Sequence, residues 1–327
     1  MFEIKDIENK IFKGDALDIL KTFPDESIDC AVTSPPYWNL RDYSAEGQLG
    51  LEGTFVQYIN KLCDIFDEVK RVLKQSGTIW INIGDTYYGS TKVKPDKEVD
   101  EDDDTDYNDI SDSEKKMFFR GNRIILPKKS LAMIPARFAI EMINRGWTLR
   151  NNIIWHKPSV MPRPVRDRFT IDFENIFFFV KNEKYYFKQQ YEKMVTKVST
   201  NASTKGSKYE GENVQVDSKS MSKFAEKVEQ GLVEGRIKRT VWKINTSSNT
   251  SFHVAPYPEE LIMPIIDAGC PEKGIVLDMF MGTGTTALVA LKQNKKFVGI
   301  DVDERAVCYA KDRIETFLNQ STIFDLM

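Results

Sequence analysis

Apolar residues at Phe55, Ile59, Leu62, Phe66, Val69 and Leu73 recur every three to four positions. That spacing predicts one buried face of an α-helix from Phe55 to Leu73, with Gly77 just beyond its end. Thr78–Ile83 then reads as a strand. Upstream, Lys10–Asp15 is a short strand-like run closing on Gly-Asp, and Ala16–Leu20 follows at helical spacing, which makes a βα unit. Ser27–Thr33 is mostly apolar and of strand length, and it runs into Ser34-Pro35-Pro36-Tyr37, where two prolines must stop it. A loop therefore opens at the C-terminal end of a strand.

Further on, Ile134–Ile143 predicts a helix with proline in its first turn, ending near Gly146. Trp147–Trp155 and Glu174–Val180 predict two buried strands. From about Gln189 to Asn249 the periodicity fades into Ser, Thr, Asn, Lys and Gly, the composition of an inserted, partly flexible lobe. Order returns with a helix at Pro258–Ile266, a strand at Ile275–Asp278, a helix at Thr285–Lys292, a strand at Lys296–Ile300 and a helix at Glu304–Leu318. Strands alternating with helices imply a doubly wound α/β sheet with mostly parallel strands.

Composition narrows the class. The 327 residues are 41% hydrophobic and 29% charged, as in an ordinary globular protein, and no run approaches the length of a membrane span. The N-terminus mixes acids and bases where a signal peptide would be apolar, so the chain reads as cytoplasmic. Cys30, Cys63, Cys270 and Cys308 show no CxxC spacing and are expected reduced and buried; His156 and His253 stand too far apart for a metal site, so no metal is expected. The net charge of −3 hides a division: eleven acids against Lys97 lie between Asp96 and Glu114, which leaves the rest of the chain net basic and compatible with a nucleic-acid partner.

Two motifs carry chemistry. Gly282, Gly284 and Ala287 match G-x-G-x-x-A after a strand and before a helix, and Asp301 ends the next strand. Glycines let backbone approach a ligand closely, and a carboxylate on the second strand can hold two ribose hydroxyls. This pattern suits an adenosine-type cofactor and does not by itself separate a dinucleotide from S-adenosylmethionine. No Gly-Lys-Ser/Thr follows, which disfavours a phosphate loop.

The second motif, Thr33-Ser34-Pro35-Pro36-Tyr37, combines a hydroxyl, carbonyls fixed by proline rings and an aromatic face at a strand end. The exocyclic amine of a nucleobase is a poor nucleophile because its lone pair is delocalised into the ring. Acceptors such as Ser34 and the Pro35 carbonyl can draw the amine toward a tetrahedral form, and Tyr37 can stack on an extruded base.

With these motifs the chain resembles the amino-methylating (N4-cytosine/N6-adenine) DNA methyltransferases. Asp278–Thr286 is similar to the family's cofactor motif, Thr33–Tyr37 to its catalytic motif and Gly14-Asp15 to its short acidic motif; the segment His253–Asp267 looks like a further cofactor-pocket element. The order, catalytic block, variable lobe, cofactor block, resembles the permuted β group. The resemblance implies a seven-stranded, mostly parallel sheet of the class I S-adenosylmethionine-dependent methyltransferase fold, circularly permuted, with one antiparallel strand near an edge. It implies a catalytic half at 1–188 with an acidic loop at 91–120, a target-recognition lobe at 189–249 and a cofactor-binding half at 250–327.

The resemblance further assigns Ser34, Pro35, Pro36 and Tyr37 to the target amine. Asp278 and the Gly282-Thr283-Gly284-Thr285 turn fall at the methionine end of S-adenosylmethionine, Asp301 at the ribose, Asp15 at the adenine and Phe280 near the sulfonium. Trp155 and Lys157 form a W-x-K segment that recurs near the base pocket or else packs and solvates locally, and Trp38 and Arg41 either extend that pocket or pack beneath it. In the lobe, Arg236, Lys238 and Arg239, with Lys193, Lys197, Lys205 and Lys208, are candidates for contacts with double-stranded DNA. A cognate restriction endonuclease is a compatible partner. Relatives with Ser at the position of Ser34 usually methylate cytosine N4, and those with Asp or Asn adenine N6, so Ser34 favours cytosine. No cysteine follows a proline, which argues against carbon-5 methylation. An N6-adenine enzyme, a non-catalytic DNA-binding regulator and an NAD-dependent oxidoreductase are the alternatives.

Overall fold

The computed structural model describes residues 2–40, 47–89, 119–120, 123–124, 126–160, 165–192, 236–247 and 256–325. The strands are β1 (Lys10–Lys13), β2 (Ile28–Thr33), β3 (Leu73–Ile83), β4 (Phe119–Arg120), β5 (Arg123–Ile124), β6 (Thr148–His156), β7 (Phe173–Val180), β8 (Tyr191–Glu192), β9 (Arg236–Ile237), β10 (Val241–Lys243), β11 (Ile275–Asp278) and β12 (Lys296–Asp301). The helices are α1 (Ile4–Ile7), α2 (Ala16–Leu20), α3 (Phe55–Val72), α4 (Ile134–Asn144), α5 (Glu259–Gly269), α6 (Thr285–Lys292) and α7 (Glu304–Asp325). No helix among the described residues is long and apolar enough to cross a membrane.

Eight strands form one sheet in the order β1-β12-β11-β2-β3-β7-β6-β10. All run parallel except β7, which is antiparallel to both β3 and β6. Both faces are covered. Ile79 and Ile81 of β3 and Phe177 and Phe179 of β7 pack with α3 and α4, whereas Trp80 and Phe178 face α5. That two-sided burial is why β2 is buried at every position and reads as a continuous apolar run rather than an alternation.

Three expectations need correction. The sheet has eight strands, not seven, because Val241–Lys243 pairs with Ile154–His156. This segment was assigned to the lobe. Trp242 and Ile244 are each only 7% exposed, and the edge of the sheet is where those apolar groups leave water. The chain accordingly divides into Met1–Lys188 with Thr240–Met327, and a second unit, Gln189–Arg239. Secondly, α3 ends where its periodicity does, capped at Leu73, but β3 begins there and not at Thr78, so Gly77 lies inside a strand. The start of α3 does follow sequence rules: Thr54 and Gln57 exchange hydrogen bonds as a capping box. Thirdly, Cys30, Cys63 and Cys270 are buried, but Cys308 on α7 is exposed.

The topology fixes where chemistry can occur. The parallel strands all end on one edge of the sheet, at Lys13, Thr33, Ile83, His156, Lys243, Asp278 and Asp301. Connections leave in opposite senses on either side of the neighbours β11 and β2, and a crevice at such a switch point is where open α/β sheets bind ligands.

Candidate functional site

A cavity of about 620 Å³ opens at that edge, lined by both sequence motifs. On the β11–β12 side its wall includes Phe280, Gly282, Thr283, Thr285 and Asp301, with Gly14 and Asp15 from the end of β1. On the β2–β3 side it includes Ser34, Pro35, Pro36, Tyr37 and Asn82, and beyond these Trp155, Lys157 and Glu174. Residues 245 positions apart meet at the seam: the Thr33 hydroxyl donates to Asp278 Oδ1 at 2.6 Å.

Asp278 is not on the cavity wall, contrary to its assignment to a cofactor contact. It is fully buried and saturated by donors: Thr33 and the Phe280 N–H (3.1 Å) reach Oδ1, and Tyr257 (2.9 Å) and Thr286 (2.5 Å) reach Oδ2. Burial pushes its carboxyl pKa up, and the hydroxyls of Thr286, Thr33 and Tyr257 pull it back. A carboxylate so engaged fastens the two motifs together and has no exposed face for a ligand. Gly284 is also off the wall. It caps α6 at φ +80°, and a Cβ there would stand 3.0 Å from Ala310 Cβ, so glycine is needed for the helix turn and its packing on α7.

Gly282, at φ +52°, donates its N–H to Asp301 Oδ2 at 2.7 Å, and the Asp303 N–H reaches Oδ1 at 2.9 Å. Burial raises the Asp301 carboxyl above its usual range against these two bonds. Asp15 caps α2 through Oδ1, accepting from Leu17 and Asp18, and the Gly14 N–H donates to the Asp301 carbonyl at 3.0 Å, which brings the ends of β1 and β12 together.

In the catalytic motif, Tyr58 donates to the Pro36 carbonyl at 2.9 Å, while among the described residues no donor reaches the Pro35 carbonyl. Ser34 Oγ lies 3.4 Å from both Tyr37 Oη and Asn82 Oδ1. Tyr37 donates to Glu174 Oε2 at 2.7 Å, with Asn82 Oδ1 at 3.1 Å. Burial and the Glu174 carboxylate hold the Tyr37 phenol well above its usual pKa, so it stays a donor. Lys157 pairs with Glu174 Oε1 and sits 4.5 Å from the Trp155 ring centroid, so both members of the W-x-K segment face the cavity. Trp38 does not. It is 3% exposed, donates to the Glu52 carbonyl and packs edge-on against Phe55. Arg41, His253, the lobe lysines Lys193, Lys197, Lys205 and Lys208, and the acidic run 96–114 lie outside the described residues.

Sequence reading missed Glu174, Asn82 and Tyr257. Asn82 was detectable as the one amide in the apolar run Thr78–Ile83. Glu174 gave a weaker signal, a carboxylate opening a buried run, and Tyr257 lies in the segment His253–Asp267 without a signal of its own. In the second unit, β8 and β9 pair antiparallel, and Arg236 and Arg239 both reach the carboxylate of Glu192, at 2.7 and 3.0 Å; the Lys238 N–H donates to the Gln190 carbonyl.

The profile of a family of DNA methylases matches residues 28–312. The chain belongs to the amino-methylating DNA methyltransferases. It is 36% identical to the type II methyltransferase M.XycI of Xanthomonas campestris pv. cyanopsidis over 93% of this chain and 87% of that protein. It is equally 36% identical, with the same coverage, to the type II methyltransferase M.Cfr9I of Citrobacter freundii. Among solved structures it resembles PvuII DNA methyltransferase (cytosine-N4-specific) with a TM-score of 0.60 at 18% identity, covering 93% of this chain and 85% of the other. This methyltransferase is thus a type II DNA modification enzyme with the class I fold. Its cofactor is S-adenosylmethionine, and the cavity suits one: Thr283 is 5% exposed, and among the described residues its hydroxyl has no partner. A buried hydroxyl left so costs about 1–3 kcal/mol, which a polar ligand removes.

Proposed function

We propose that this methyltransferase methylates the exocyclic N4 of cytosine within a short recognition sequence in double-stranded DNA. The observation that carries this reading is Ser34. At the end of β2 the group facing the cavity beside the Pro35 carbonyl is a small hydroxyl, not a carboxylate or amide. S-adenosylmethionine, when bound, supplies a methyl carbon made electrophilic by a positively charged sulfur. Asp301 accepts hydrogen bonds from the ribose hydroxyls, Asp15 lies on the adenine side, and Gly282, Thr283 and Thr285 flank the methionine end beside Phe280. Ser34 and the Pro35 carbonyl accept from the target amine, freeing its lone pair, and Tyr37 stacks on the extruded base. Positioning and electrostatics do most of the work. The unit Gln189–Arg239 reads the DNA, with Arg236, Lys238 and Arg239 as contacts.

The test is direct. Unmethylated DNA is treated with the enzyme and S-adenosylmethionine, digested to nucleosides and separated by mass spectrometry. N4-methylcytosine is expected; N6-methyladenine as the sole product overturns the choice of base while leaving amine methylation intact. Ser34→Ala should lower turnover and leave cofactor affinity unchanged, because the hydroxyl meets the amine and not the cofactor.

A further inference from the structure

Because β7 is antiparallel, it brings its first residues, not its last, to the edge where the parallel strands end, and so it pairs Glu174 with Trp155. The Glu174 carboxylate is divided between two partners. Oε1 meets the Lys157 ammonium, and Oε2 accepts from Tyr37 at 2.7 Å. Tyr37 Oη accepts in turn from Ser34 Oγ at 3.4 Å. Donation therefore runs one way, from Ser34 at the cavity to Tyr37 to Glu174, and the Ser34 lone pairs remain for substrate. Asn82 touches both hydroxyls, but its amide has no basic site, and its Nδ2 is directed to the Asn175 carbonyl at 3.3 Å. It can align the pair and cannot take a proton.

We propose that Ser34, Tyr37 and Glu174 form a relay that delivers the proton lost by the target amine to the Glu174 carboxylate. This rests on the reading of Ser34–Tyr37 as the amine site. The amine lone pair forms the bond to the methyl carbon as the carbon–sulfur bond breaks and leaves its electron pair on sulfur. In step with this, the nitrogen gives one proton to Ser34 Oγ, Ser34 gives its own to Tyr37 Oη, and Tyr37 gives its own to Glu174 Oε2. Both hydroxyls end neutral, the sulfonium charge cancels against the carboxylate charge, and the carboxylic acid later returns its proton to water. Lys157 pairs with the other carboxylate oxygen, Oε1, and so leaves Oε2 to Tyr37. Glu174 does not reach the amine; it is a positioning residue for Tyr37 and the end of the relay.

The test uses the full chain with amplified, unmethylated bacterial genomic DNA and tritiated-methyl S-adenosylmethionine. Transfer rates are measured in H2O and D2O, and cofactor affinity by calorimetry. Glu174→Gln keeps the size and the acceptor for Tyr37 but cannot take its proton; Tyr37→Phe cuts the relay and leaves the Glu174–Lys157 pair in place. The relay predicts that the parent enzyme is slowed in D2O, and a parent rate equal in the two solvents overturns it; each variant should slow transfer by about 100-fold, the lower range for a lost proton acceptor, and abolish that slowing. The double variant should be no slower than the worse single one. Lys157→Gln should retain the isotope effect. Should Glu174→Gln keep the parent rate and isotope effect while Ser34→Ala is inactive, the relay is overturned and the amine site stands. If Ser34→Ala and Glu174→Gln are both fully active, the site reading falls with it. Where Glu174→Gln also loses cofactor binding, Tyr37→Phe decides: a lost isotope effect supports the relay, a retained one overturns it.

Discussion

Gly84, the first residue after β3, is the position where the smallest addition should do the most harm. A Cβ there would lie 2.5 Å from Tyr37 Cε2, 3.0 Å from Cδ2 and 3.3 Å from Cζ. Carbon atoms rest at about 3.5–4.0 Å, so Gly84→Ala must push the ring or the strand end by roughly 1 Å. Tyr37 Oη now sits 2.7 Å from Glu174, and a displacement of that size breaks the bond. The overpacking costs about 1–3 kcal/mol and the lost bond to a charged acceptor about 1.5–3 kcal/mol. Misplacing a reacting group by about 1 Å can cost 100-fold in rate. Gly84 itself is absent from the cavity wall, and the cofactor motif is on other strands. Methyl-transfer rate should therefore fall by about two orders of magnitude while calorimetry returns a nearly unchanged affinity for S-adenosylmethionine. A Gly84→Ala enzyme that transfers methyl at the parent rate would refute the placement of Tyr37 against Gly84 as a requirement of the chemistry.

Two further outcomes follow from the carboxylates. Asp278→Ala strands the hydroxyls of Thr33, Tyr257 and Thr286 in the interior, and urea unfolding should show a loss of about 3–5 kcal/mol, the scale of breaking a buried charged network; a loss below about 1 kcal/mol would show that those hydroxyls find other partners. Asp301→Asn sets an amide NH2 against the N–H of Gly282 or Asp303, and S-adenosylmethionine should bind more weakly by about 1.5–3 kcal/mol. Because burial raises the Asp301 carboxyl, it protonates above the usual carboxylate range as pH falls. Cofactor affinity in the parent enzyme should start to drop at that higher pH, and the drop should be missing from Asp301→Asn; titrations giving both proteins the same pH profile would exclude Asp301 as the ionised ribose partner.

Local signals determined much of this protein. The periodicity of α3, the proline stop after β2 and the glycine turn before α6 each depend on residues within a few positions of one another, so they are legible in one dimension. The same holds for the alternation of strand and helix that makes the sheet parallel, and for the two motifs placed at strand ends. Tertiary structure decided what depends on partners distant in sequence. Asp278 looks like a ligand-binding acid beside its glycines, and only the approach of Thr33, Tyr257 and Thr286 shows that its oxygens are spent inside the protein. Val241–Lys243 is too short and too polar at its flanks to announce a strand, and it becomes one because Trp242 must leave water at the sheet edge. Glu174 enters the site only because β7 runs against its neighbours. Which side chains then meet there depends on strand order and register, which only the assembled sheet contains.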